Sequence, residues 1–253
     1  LISTGAQTIT GAKTFSSTTT FNSDISLNGI TAGLGNGNVT SNAAFGTSSL
    51  QANTTGNSNA AFGGSSLTSN TSGFYNSAFG KDALRNNTTG VENTGLGLSA
   101  MYSNVGGGYN TAVGSSALAA NTNASYNVAV GRQALVNTNT GGYNVAIGAA
   151  TLGINTTGTN NTAIGYGADV ASAALYNATA IGNGAIASAS NTIQLGNSGV
   201  TSVITSGTIS ATGFTGALTG NASTATALAT GRTISTTGDV TYTSGGFDGS
   251  GNV

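Results

Sequence analysis

Asn110-Thr111-Ala112-Val113-Gly114, Asn127-Val128-Ala129-Val130-Gly131, Asn144-Val145-Ala146-Ile147-Gly148 and Asn161-Thr162-Ala163-Ile164-Gly165 decide the reading of this chain. They are consecutive copies of one pentapeptide, Asn-x-Ala-apolar-Gly, set at a constant 17-residue step. The series extends back through Asn93, Asn76, Asn59 and Asn42. It extends forward to Ala178-Thr179-Ala180-Ile181-Gly182, which keeps the step and loses the Asn. A tenth copy, Thr192-Ile193-Gln194-Leu195-Gly196, follows at a shorter, 14-residue step. Self-similarity at a fixed period marks a repeat architecture, in which neighbouring units complete one another's core.

Each column of the repeat makes its own demand. The fifth position is always Gly, which calls for positive φ or close backbone approach. The third is Ala, or Gly at Gly95, so another backbone lies near it. The fourth runs Phe45, Phe62, Phe79, Leu96, Val113, Val130, Ile147, Ile164, Ile181, and its apolar character places it toward a core. A second apolar column, Leu50, Leu67, Leu84, Met101, Leu118, Leu135 and Leu152, fails at Asp169. Between them lie turn sequences such as Asn53-Thr54-Thr55-Gly56 and Asn87-Thr88-Thr89-Gly90.

A coil of this length holds two short strands and two turns more readily than a helix plus a strand. Gly, Asn and Thr at this density also disfavour helix. Each repeat is therefore expected to be one coil of a parallel β-solenoid, and the chain to be all-β. Coils stack at about 4.8 Å, so nine of them make a rod of roughly 40 Å. The repeated Asn suits a side-chain ladder that bonds the next coil and caps turn carbonyls; a ligand-binding row is its functional alternative. So thin a coil has few inward positions, which predicts capping or side-by-side packing of several chains.

Composition excludes several function classes. Of 253 residues, 41 are Gly, and only 4% are charged, with a net charge of -1. His, Cys, Trp and Pro are absent. That removes a Ser-His-Asp triad, a thiol nucleophile, Cys-ligated zinc and a disulfide framework. A nucleic-acid partner wants a dense basic footprint, which is missing. No apolar run approaches the ~20 residues of a membrane helix, so membrane insertion is not expected. Glycoside hydrolysis needs two carboxylates close together, whereas Asp82 and Glu92 occupy different phases of the coil. Gly95-Leu96-Gly97-Leu98-Ser99-Ala100 matches a dinucleotide-fold pattern, but it falls inside the repeat with no helix after it. No enzyme activity, cofactor or metal is expected.

The coil sequences, with Asn177-Ala178-Thr179-Ala180-Ile181-Gly182-Asn183-Gly184-Ala185 and Asn191-Thr192-Ile193-Gln194-Leu195-Gly196-Asn197, resemble the head repeats of YadA-like trimeric autotransporter adhesins. That resemblance covers residues 33–199 and implies a homotrimeric left-handed β-roll. The family's usual coil is the shorter, 14-residue one, so the three extra positions here are placed in the Asn-Thr-Thr-Gly turn. The flanks resemble bacteriophage tail fibres: Gly5-Ala6-Gln7-Thr8-Ile9-Thr10-Gly11-Ala12-Lys13-Thr14-Phe15-Ser16 near the start, and Gly213 to Ala229, Thr230 to Ile234 and Phe247 to Val253 near the end. This implies a virion appendage for host attachment.

The expected organisation is an N-terminal β fibre or shaft segment at 1–32, a lead-in at 33–41, the roll at 42–196, and a C-terminal fibre segment at 197–253 that begins a longer region. In the first, Ile9, Phe15, Phe21 and Leu27 fall six apart. In the last, Val203-Ile204, Ile209 and Val240-Thr241-Tyr242 suit short strands, and 222–229 a turn of helix. The structural repeat residues are Asn110, Gly114, Asn127, Gly131, Asn144, Gly148, Asn161 and Gly165. Candidate binding residues are Tyr109, Tyr126 and Tyr143, just before the Asn column. They form either an exposed aromatic stripe or an interchain packing strip.

The expected function is structural and host-attaching: a stiff trimeric rod in a phage tail fibre. Its partners would be other copies of itself, other virion tail proteins, and a host receptor of glycan or surface-protein type. Its location would be the extracellular virion tail. A bacterial cell-surface autotransporter adhesin is the alternative, and a polysaccharide-degrading tail spike a third.

Overall fold

The computed structural model describes residues 25–27, 30–207, 210, 235–236 and 242–243. Ile9, Phe15, Phe21, Ile209, the 222–229 segment and Val240-Thr241 lie outside the described residues. Contacts divide the chain into two units, Leu1–Ser202 and Val203–Val253.

In the first unit, strands β1 (Ile25–Leu27) and β2 (Ile30–Gly33) pair antiparallel, and β2 pairs antiparallel with β3 (Ala43–Gly46). One 3-10 turn, Asn36–Asn38, separates β2 from β3. A parallel stack then begins: β4 (Ala60–Phe62), β5 (Ser77–Phe79), β6 (Thr94–Leu96), β7 (Thr111–Val113), β8 (Val128–Val130), β9 (Val145–Ile147) and β10 (Thr162–Ile164). After β11 (Asp169–Val170), β12 (Thr179–Ile181) continues it; after β13 (Ile186–Ala187), β14 (Ile193–Leu195) ends it. The result is a parallel β-solenoid of about nine turns. Register is strict: Ala112 faces Ala129, Ala129 faces Ala146, and Ala146 faces Ala163.

Two expectations need correction. The 17-residue coils carry one strand each, not two. Opposite the strand, the chain runs through successive turns in which Ser116 and Leu118 sit at φ 56° and 52° and their counterparts follow suit. A second strand appears only where the turn sequence changes, as β11 pairs parallel with β13. The fourth column does not face the core of its own chain. Phe45, Phe62, Ile147 and Ile181 are 40–49% exposed. Strand side chains alternate, and Asn at position one and Ala at position three already point inward. The fourth must point out.

The core is therefore the Ala column and the second apolar column. Ala61, Ala112, Ala129, Ala146 and Ala163 are fully buried, as are Leu50, Leu67, Leu84, Met101, Leu118, Leu135 and Leu152. At Asp169 the pattern slips by one, and Val170 fills the interior instead. The shorter final step can be located. Val170 pairs with Ala187, one full coil on, while the Tyr176 N–H donates to Ser190 Oγ, three positions short of a full coil. The missing three belong to the segment equivalent to Asn53-Thr54-Thr55-Gly56, where the sequence placed them.

In the second unit, Ser235–Thr236 (β15) and Tyr242–Thr243 (β16) pair antiparallel. Val203 and Ile204 form no strand, contrary to expectation, and are 61% and 90% exposed.

Candidate functional site

Two Asn ladders join successive coils. In the first, Asn127 Oδ1 accepts the backbone N–H of Asn144 at 3.0 Å, and Asn127 Nδ2 donates to the Gly141 carbonyl at 3.0 Å. Asn110, Asn144 and Asn161 repeat the arrangement, all buried. The ladder expected from the repeated Asn is thus present. A second ladder goes beyond the sequence reading. Asn70, Asn87, Asn104 and Asn121 each donate Nδ2 to the Oδ1 of the Asn one coil before, at 2.6–2.9 Å. Its signal in the sequence is the Asn three residues after the second apolar column, as in Leu84 and Asn87. Thr138 interrupts it, and Asn155 Nδ2 donates to the Thr138 hydroxyl instead, at 3.2 Å.

The Gly column behaves as its composition demands. Gly114, Gly131, Gly148 and Gly165 have φ between 125° and 133°. A Cβ on Gly114 would lie 2.6 Å from the carbonyl of Gly131. These residues bring successive coils together and bear no chemistry.

The tyrosines form an outward stack. Tyr109 and Tyr126 lie parallel with ring centroids 4.8 Å apart, and Tyr126 and Tyr143 at 4.9 Å. That separation equals the coil rise. Each ring is 45–59% exposed. Stacking covers both faces of Tyr126 and one face each of Tyr109 and Tyr143. Tyr75 stands apart, edge-on to Phe74, because Glu92 takes the intervening rung. The Glu92 charge beside it pushes the Tyr109 phenol above its ordinary range, and Tyr126 and partial burial add to this.

Among the described residues, the carboxylates Asp82 and Asp169 have separate partners. Asp82 pairs with Lys81 at 2.5 Å and with Arg85 at 3.6 Å. Asp169 accepts the N–H of Val170 at 2.8 Å and that of Ile154 at 3.2 Å. Its burial pushes its carboxyl above the usual range, and those bonds oppose the shift. Among the described residues no group of three or more acidic side chains is placed to hold a metal ion. No helix among them is long and apolar enough to cross a membrane.

The fourth-position column forms an outward apolar line. Phe62 and Phe79 stack at 5.0 Å within it, and Leu96, Ile147, Ile164 and Ile181 continue the line. Comparison with known family models, characterised proteins and solved structures gives no match.

Proposed function

We propose that the chain is a structural and host-attachment segment of a homotrimeric bacteriophage tail fibre. It acts as a stiff rod on the outside of the virion and carries multivalent contacts to a host receptor, a glycan or a surface protein. One observation carries the reading: the apolar rungs Phe45, Phe62, Phe79, Leu96, Ile147, Ile164 and Ile181 stay 39–49% exposed in the single chain. A continuous apolar line of this kind is an interaction surface. Three copies related by rotation cover it in a closed ring, each line packing against the next chain. Burial there contributes roughly 25 cal/mol per Å² of apolar area. The role is mechanical. Many weak contacts on one rigid support gain strength by avidity, and nothing in it calls for catalysis.

The test is sedimentation of the whole chain with Ile147→Asp and Ile164→Asp. The wild type is expected near three times 24.3 kDa. The double variant is expected as a single chain that keeps its β-type circular dichroism. A wild-type monomer overturns the trimer. The purified trimer is expected to compete with intact particles for adsorption to host cells; no competition overturns attachment. The final 14-residue step, Ala178 to Thr192, favours a second reading, a bacterial cell-surface adhesin of the autotransporter class. Labelled antibodies separate the two: virion tails in one case, bacterial envelopes in the other.

A further inference from the structure

The column after the buried Leu reads Arg85, Tyr102, Ala119, Val136 in successive coils. Its steric profile is large, large, small, medium. Ala119, with Ala120 beside it, therefore leaves a gap between Tyr102 on one side and Val136 on the other. The gap is an open notch of about 470 Å³, with Ser103 and Asn137 on its rim. Two coil rises, roughly 9.6 Å, separate its walls. A ring in van der Waals contact on both sides needs roughly 7–8 Å.

Tyr102 is held in place from one side. Arg85 Nη1 donates to its hydroxyl at 3.0 Å, with the guanidinium carbon 5.6 Å from the ring centroid. Arg85 comes from the coil before and Ala119 from the coil after, so Arg85 anchors the Tyr102 hydroxyl from one side and the notch lies on the other. The Ser103 hydroxyl makes no hydrogen bond among the described residues; Asn137 donates once, to the Gly153 carbonyl, leaving its Oδ1 as acceptor. Arg85 shares the single Asp82 carboxylate with Lys81, so that group carries a net positive charge beside Tyr102. No charged side chain lines the notch itself, which has one aromatic wall, an aliphatic floor, and the Ser103 hydroxyl and Asn137 Oδ1 at the rim.

The geometry points to a saccharide site: Tyr102 stacks one neutral pyranose ring over Ala119 and Ala120, and Ser103 and Asn137 bond its hydroxyls. This rests on the host-attachment reading and names the ligand class. It also sets the platform apart from the Tyr109, Tyr126 and Tyr143 stack, which leaves only the outer faces of its two end rings uncovered by another tyrosine. The notch lies at the tenth and eleventh positions of the coil and the outward aliphatic column at the fourth, so different residues serve assembly and binding.

The experiment uses the whole chain and the methyl glycosides of glucose, galactose, mannose and N-acetylglucosamine, with methyl galacturonate as the charged comparison. Saturation-transfer NMR detects contact, and titration gives Kd. At least one neutral glycoside is expected to bind and to shift a tyrosine ring signal. Tyr102→Ala is expected to weaken it about tenfold, and Tyr102→Phe to hold it within about threefold, since the stacked face survives. Ala119→Leu fills the notch and is expected to abolish binding with melting unchanged, so loss there is not misfolding. Tyr143→Ala is expected to change nothing. Absence of binding by every neutral glycoside, survival of binding in both Tyr102→Ala and Ala119→Leu, or preference for the galacturonate overturns the proposal. Adsorption competition is read in parallel. Competition that persists without glycoside binding refutes the notch alone; loss of competition by the wild-type trimer refutes attachment.

Discussion

Replacing Gly114 with Ala tests the closeness of the coils directly. Gly114 has φ 133°, a region that side chains rarely enter. The added Cβ would sit 2.6 Å from both the carbonyl carbon and the oxygen of Gly131, and 3.0 Å from the Arg132 nitrogen. All three are backbone atoms and none can rotate away. Relief requires the two coils to part by roughly 0.8 Å or more to restore ordinary contact. Yet they are joined there by the Gly131 N–H donating to the Val113 carbonyl at 2.7 Å. Stretching that bond by the same amount takes it to the limit of useful geometry. Backbone strain of about 1–3 kcal/mol and overpacking of about 1–3 kcal/mol give a loss of about 2–6 kcal/mol. For a chain of this size that lowers Tm by roughly 5–20 °C. Gly64 supplies the comparison, because its φ is not positive and a Cβ there meets nothing within 4 Å. Gly64→Ala is expected to be neutral, or stabilising by up to about 1 kcal/mol. The assay is thermal and denaturant unfolding of the two variants side by side, with amide exchange to locate the weakened rungs. Equal stability of Gly114→Ala and Gly64→Ala would refute the stacking of coils through their glycines.

Two further outcomes follow from the ladders and from Asp169. Asn127→Ala strands the Asn144 N–H and the Gly141 carbonyl in the interior. Two such groups cost about 2–6 kcal/mol together, whereas Asn137→Ala, which loses one exposed bond, is expected to lie within about 0.5 kcal/mol of wild type by denaturant titration. Burial raises the Asp169 carboxyl pKa above its unfolded value. Its contribution is therefore most favourable below the unfolded pKa and is lost as pH rises through the folded one. Asp169→Asn is expected to remove that downward slope in an acid-range stability profile, and an unchanged slope would show that another group causes it.

Much of the architecture is legible because the coil fixes backbone and side-chain demands together. Gly at position five and Asn at position one each have one physical use at a 17-residue pitch, so their columns predict both the stack and the first ladder. Apolar character misleads at the fourth column, where it does not mean burial within the chain. The parity of the strand overrides it: once Asn127 and Ala129 point inward, Val130 cannot. The second ladder is hidden because Asn87 and its counterparts also suit turn formation, which Asn serves equally well. The absent second strand reflects left-handed backbone at Leu118 and Ser116, a conformation these residues rarely choose alone. It becomes tolerable when the Leu118 N–H reaches the Ala134 carbonyl of the next coil at 3.0 Å and the side chain is wholly buried.

The inward and outward columns answer to different constraints, and this separation would let a repetitive solenoid carry a local site. Interior positions are fixed by neighbours above and below: a larger residue at Ala129 collides with the core, and a different one at Asn127 orphans backbone groups. Outward positions meet only the same column one coil away. A small residue among large ones at such a position opens a notch without disturbing a ladder, as Ala119 does between Tyr102 and Val136. A run of like aromatics closes into a stack, as Tyr109, Tyr126 and Tyr143 do. The outward columns therefore vary at little cost to the fold, and contact specificity is expected to change fastest there, one rung at a time, while the Asn and Gly rungs stay constant.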